Sequence, residues 1–130
     1  MVQAKHKITG KTVAIKLIRN LFSDVYSTRK IISEIQILRH FTNMKNNKHT
    51  TALLDVITDS NFEHDYMFLV MDYVDSDLKK VFNSSKKIEF NEEHVLIILY
   101  NTLCSMNFIH SAGIMHRDIK PANILIDSEC

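Results

Sequence analysis

The spacing of apolar residues changes character along the chain, and the changes mark out its elements. Residues 2–19 predict a β-hairpin: a polar turn, Lys7-Ile8-Thr9-Gly10-Lys11, precedes the β-rich run Thr12-Val13-Ala14-Ile15-Lys16-Leu17-Ile18. In that run Val13, Ile15 and Leu17 alternate with Ala14 and Lys16, so Ala14 and Lys16 share the opposite face. Ile31, Ile35 and Leu38 then recur at helical spacing, with Ile32 widening the stripe and Ser23 or Asp24 able to cap it. Residues 43–51 are polar and loop-like. The β-rich runs 52–57 and 66–71, separated by a polar turn, predict adjacent antiparallel strands. Phe68-Leu69-Val70-Met71 gives way abruptly to Asp72-Tyr73-Val74-Asp75-Ser76-Asp77, and Asp77 is placed to cap a short helix over 78–82. After a polar loop, Asn91 caps a second long helix with Glu92 and Glu93 in its first turn. Its stripe runs Val95, Ile98, Leu99, Leu103, Met106 and Ile109, with Thr102 a weak member, and Gly113 ends it. Antiparallel strands combined with helices make this an α+β chain.

Composition narrows the class without naming a function. Hydrophobic residues make up 45% of the chain and charged residues 24%, the balance of a soluble globular protein. A net charge of +1 gives no reason to expect nucleic acid or an acidic membrane as partner. No apolar run approaches the roughly 20 residues that cross a bilayer, and the first residues lack a signal-peptide core. Cys104 and Cys130 stand far apart. Cys104 reads as a small buried side chain, and a reducing compartment is the mild inference. A metal reading of His110 and His116 fails for want of further ligands at suitable spacing.

The chemistry concentrates in His116-Arg117-Asp118-Ile119-Lys120-Pro121-Ala122-Asn123. An acid, a cation and an amide stand at fixed spacing, with Ile124-Leu125-Ile126 following. Phosphoryl transfer needs this set: a carboxylate to orient the attacking hydroxyl, a cation to offset charge on the transferred group, and an oxygen to hold Mg²⁺. A surface turn at Pro121 followed by an ordinary strand explains the apolar run but not the ordered polar residues. Elsewhere the residues leave alternatives open. Ala14 beside Lys16 leaves room for a flat ring with phosphates nearby, and equally suits an edge strand with a solvated lysine. Glu34 is either a solvated helix carboxylate or the partner of Lys16. Asp77 can accept from a ribose hydroxyl, cap its helix, or both.

Together, Val13-Ala14-Ile15-Lys16, Glu34, the stretch Val70-Met71-Asp72-Tyr73-Val74-Asp75-Ser76-Asp77-Leu78 and the run from His110 to Leu125 resemble a eukaryotic serine/threonine protein kinase domain. The Ser-Asp-Leu of the connector and the Ile-His-Ser-Ala before the loop look most like mitogen-activated protein kinases, with cyclin-dependent kinases as near neighbours. The resemblance implies a partial two-lobed kinase fold. Residues 1–71 would form most of the upper lobe, 72–77 the hinge, and 78–130 the start of the lower lobe through the catalytic loop.

It also implies roles. Lys16 would contact the α- and β-phosphates of ATP and pair with Glu34. Ala14 and Leu125 would sandwich the adenine, with Met71 at the gatekeeper position behind it. The carbonyl of Asp72 and the amide and carbonyl of Val74 would read the adenine edge, and Asp77 the ribose. Asp118 would be the catalytic base, Lys120 would steady the γ-phosphate, and Asn123 would ligate Mg²⁺. Leu38 and His116 match the hydrophobic column that links the lobes. The implied partners are ATP, a protein substrate and an upstream activating kinase, with no nucleic acid or membrane, in the cytoplasm or nucleus.

The family's Gly-rich loop and Asp-Phe-Gly motif are not found in these residues. The expectation is therefore a piece of an active kinase, itself inactive. A non-catalytic binding or regulatory module is the second reading. A small-molecule phosphotransferase of related fold is the third, disfavoured by Lys120, the Val-Ala-Ile-Lys strand and the hinge.

Overall fold

A computed structural model describes residues 1–45, 47–59, 65–84 and 90–127. It divides into two units, Met1–Tyr73 and Val74–Cys130.

The first unit is built on the predicted hairpin. Strands β1 (Val2–Lys5) and β2 (Thr12–Arg19) pair antiparallel, with Lys5 opposite Thr12. Their turn is closed by His6, whose amide donates to the Lys11 carbonyl at 2.8 Å and whose Nδ1 accepts from the Thr9 amide at 3.1 Å. Gly10 sits there at φ 70°, where a side chain would be strained.

The helix α1 (Val25–Asn43) follows, and of the two candidate caps Asp24 takes the role: its Oδ1 accepts from the Ser27 amide at 2.8 Å. The β-rich runs become β3 (Leu53–Thr58) and β4 (Tyr66–Asp72), antiparallel neighbours as expected. The turn predicted between them lies largely outside the described residues. Strand order is β1-β2-β4-β3. β4 is therefore internal, and its Leu69 is fully buried, which stabilises the unit by about 2 kcal/mol. Around Leu53, Leu69 and Met71 gather Ile18, Ile35, Leu38, Val56 and Met67. Two stripe positions of α1, Ile35 and Leu38, thus meet the even face of β2 and the odd face of β4.

The second unit opens with β5 (Ser76–Asp77) and α2 (Leu78–Asn83), whose cap is Asp77: its Oδ1 accepts from the Lys80 amide at 2.9 Å. The helix α3 (Glu92–Ser111) starts at Asn91, which accepts from the His94 amide at 2.9 Å, with His94 returning a weaker contact to the Asn91 amide. Gly113 follows the helix in the left-handed region, φ 72°, as a C-terminal glycine does. The chain then forms a single 3-10 turn, Pro121–Asn123, and a short strand β6 (Leu125–Ile126). β5 and β6 pair antiparallel, Asp77 opposite Leu125 and Ser76 opposite Ile126. This ribbon is absent from the hydrophobic pattern, because each strand is two residues long. Cys104 is half-buried rather than buried, since the surrounding face of α3 is largely bare. Among the described residues no helix is long and apolar enough to cross a membrane.

Candidate active site

In the first unit, register sets the predicted residues side by side. Ala14 stands opposite Met71, Val13 opposite Asp72 and Lys16 opposite Leu69. Residues opposite one another in an antiparallel ladder share a face, so Ala14, Lys16, Leu69 and Met71 all face α1. Ala14 and Met71 are buried, 6% and 7% exposed, which leaves Lys16 as the cation on that face. Its Nζ lies 2.5 Å from Glu34 Oε1, joining the strand to the helix. Both side chains remain more than a third exposed, so the pair orients the lysine more than it stabilises the fold. An apolar hollow of about 190 Å³ also lies in this unit, beside Leu21, Ile31, Ile32, Tyr66 and Met67, and none of the predicted site residues lines it.

In the second unit the loop 116–123 folds onto its own acid. Lys120 Nζ lies 2.8 Å from Asp118 Oδ2, and Asn123 Nδ2 donates to the same oxygen at 2.9 Å and to the Asp118 carbonyl at 2.8 Å. These donors, Lys120 first and then Asn123, hold the Asp118 carboxyl below its ordinary range. Both converge on Oδ2, which leaves Oδ1 without a protein partner among the described residues. The Asp118 amide donates to His116 Nδ1 at 3.3 Å, and Arg117 between them is held at φ 62°. A long side chain in the left-handed region costs about 1–2 kcal/mol, so the surrounding bonds enforce the loop's shape.

The loop is anchored at its far end. The Asn123 amide donates to the Lys120 carbonyl at 2.8 Å, closing the 3-10 turn that Pro121 begins, and the Leu78 amide donates to the Ile124 carbonyl at 2.9 Å. The β5–β6 pairing then sets Asp77 directly opposite Leu125. Two residues assigned to ribose and adenine from distant stretches are thereby neighbours. Val74, at the start of this unit, is half-buried. Asp77 has its carboxylate committed to the α2 cap and to Lys80, which lowers its pKa.

Sequence reading missed three contacts. Lys120 pairs with Asp118, a pairing the two-residue spacing permits but does not compel. The β5–β6 ribbon has no pattern long enough to detect. Lys11 bonds Asp72 at 2.8 Å across the sheet, from a turn lysine that nothing local distinguishes.

The chemistry of the donors suits a hard divalent cation: the Asn123 amide oxygen and the Asp118 carboxylate are oxygen ligands of the kind Mg²⁺ takes. No cluster of three or more His, Cys, Asp or Glu capable of holding a metal exists among the described residues. Magnesium at phosphates is held by one or two protein oxygens, so this donor set fits without such a cluster.

With that geometry the whole chain, residues 1–130, matches the protein kinase domain family, and it belongs to that family. It is 33% identical over 126 residues to mitogen-activated protein kinase 4a of Physcomitrium patens, covering 95% of this chain and 32% of that protein. It is 31% identical over 128 residues to extracellular signal-regulated kinase 1 of Dictyostelium discoideum, covering 98% and 23% respectively. Mitogen-activated protein kinase spm1 of Schizosaccharomyces pombe is 34% identical over 122 residues, covering 92% and 27%. The chain spans about a quarter to a third of the length of these relatives.

Proposed function

We propose that this chain carries the nucleotide-binding and proton-handling part of a mitogen-activated-type protein kinase, which transfers the γ-phosphoryl of ATP to protein serine or threonine hydroxyls. The observation that carries this reading is the Asp118–Lys120–Asn123 cluster, in which two donors occupy one carboxylate oxygen and leave the other for an incoming hydroxyl. Asp118 orients that hydroxyl and takes its proton through Oδ1. Lys120, already at Oδ2, steadies charge on the transferred group, and the Asn123 amide oxygen is the Mg²⁺ ligand. Bound Mg²⁺ supplies neutralisation of the phosphate charge. Lys16, held by Glu34, meets the α- and β-phosphates. Ala14 and Leu125 flank the adenine with Met71 behind, Asp72 and Val74 read its edge, and Asp77 takes the ribose.

On this reading residues 1–71 belong to the upper lobe, 72–77 to the hinge and 78–130 to the lower lobe. A protein substrate, an upstream activating kinase and a cytoplasmic or nuclear setting follow from the likeness to mitogen-activated protein kinases. The 130 residues alone should bind Mg-ATP without measurable transfer, because Asn123 is the one dedicated metal ligand that the reading assigns within them. Equilibrium binding and a phosphate-transfer assay test both halves. Lys16→Met should weaken ATP binding by roughly tenfold, the loss of a charge-assisted contact. Absence of ATP binding would sink the nucleotide reading, and transfer that Asp118→Asn abolishes would sink the claim of inactivity.

A second reading, a binding module without catalysis, draws on the bare apolar face of α3, where Leu96, Leu99 and Leu103 are each more than half exposed. It predicts partner binding that survives Asp118→Asn.

A further inference from the structure

Asp72 ends β4, and its backbone and side chain bond the same neighbour in an unusual way. Its amide donates to the Ala52 carbonyl at 3.0 Å, as a ladder residue does. A hydrogen-bonded antiparallel pair exchanges both N–H···O bonds, so the return bond should run from the Ala52 amide to the Asp72 carbonyl. Instead the Ala52 amide donates to Asp72 Oδ2, at 3.3 Å. The side chain has taken the place of its own carbonyl. The ladder is irregular next to this pair, with a register shift between Leu53 and Asp55.

The other carboxylate oxygen is also held. Asp72 Oδ1 accepts from Lys11 Nζ at 2.8 Å, and Lys11 lies two residues before Val13, the cross-strand partner of Asp72. Alternation puts the Lys11 and Asp72 side chains on the sheet face opposite the one that carries Lys16. Their side chains are 58% and 34% exposed, so the pair adds little to stability. Its consequence is geometric: with Lys11 on one oxygen, the other stays on the Ala52 amide.

We propose that the Asp72 carboxylate, held by Lys11, substitutes for the Asp72 carbonyl in the β3–β4 ladder and so leaves that carbonyl to accept from the exocyclic amine of adenine. This rests on the nucleotide reading above and adds two positioning groups to it. Lys11 and the Asp72 side chain act through the backbone carbonyl. Their effect therefore falls on discrimination between bases and not on the grip on phosphates, which belongs to Lys16.

The experiment compares the affinity of the 130-residue chain for ATP with that for purine riboside triphosphate, which lacks the exocyclic amine. The wild type should favour ATP by roughly threefold to tenfold, the worth of one hydrogen bond. Asp72→Ala returns the Ala52 amide to the carbonyl, and the preference should fall to about one. Lys11→Met should lose most of the preference and Lys11→Arg should restore it, which a merely structural lysine would not show. If Asp72→Ala fails to fold, the exposed Lys11 pair of variants decides, with circular dichroism as the check on folding. A preference unchanged in Lys11→Met and Asp72→Ala, while Lys16→Met weakens both nucleotides equally, would overturn the substitution and spare the nucleotide reading. A wild type that binds both nucleotides equally would overturn the adenine-edge role of Asp72, and this inference with it.

Discussion

A carboxylate with two donors on one oxygen is held in its ionised form. Asp118 is ionised and oriented by Lys120 and Asn123, and that shows as a carboxyl pKa below the ordinary value of 3.8. A folded-state pKa lower than the unfolded one contributes stability above the unfolded pKa, and that contribution is lost as pH falls through the folded value. Asp118 is solvent-exposed, so the effect reads better as a titration than as a stability change. Carboxyl resonances followed by NMR should give Asp118 a midpoint below 3.8, and Lys120→Met should raise it. A midpoint that does not move in Lys120→Met would mean that the contact does not hold the acid. The residue types and spacing of this loop were legible in the sequence. Which oxygen each donor takes was not, because several rotamers satisfy a two-residue and a five-residue separation.

At the scale of elements, the long helices declare themselves through apolar period and caps, and the two caps carry different loads. Asp24 accepts from Ser27, which holds its own pKa down, and it starts the helix that brings Glu34 to Lys16. Asp24→Ala should therefore destabilise the first unit, by an amount typical of losing a helix cap. It should also weaken ATP binding modestly, through the loosened Lys16–Glu34 pair. Thermal unfolding and the binding assay measure the two effects. A loss of stability greater than several kcal/mol would show that Asp24 does more than cap. Strand limits were legible to within a residue or two, as with 52–57 against Leu53–Thr58. The β5–β6 ribbon was not, because two-residue strands have no period and their pairing depends on chain closure.

At the scale of the whole molecule, α3 sets the behaviour in solution. From Val95 to Ile109 it carries no charged residue. Leu96, Leu99, Tyr100 and Leu103 lie on one face and are 57%, 52%, 68% and 59% exposed. An apolar stripe of that extent binds hydrophobic dye and favours self-association. The 130-residue chain should enhance the fluorescence of such a dye, and Leu96→Glu with Leu103→Glu should remove most of the signal while leaving helicity intact. A chain that is monomeric and silent to the dye would contradict the exposure of this face.

What the sequence alone determined is whatever depends on neighbours along the chain: the alternation that puts Ala14 and Lys16 on one face, the helical stripes, the caps at Asp77 and Asn91, and the ordered acid, cation and amide of 118–123. The resemblance implied that Lys16 pairs with Glu34, and the packing of α1 on the sheet brings the two together. Tertiary structure decided what depends on distant chain segments meeting. It set Asp77 opposite Leu125 and brought a turn lysine to the carboxylate that ends β4. The reason is physical: local periodicity fixes which way a side chain faces, whereas register and loop closure fix what it meets there.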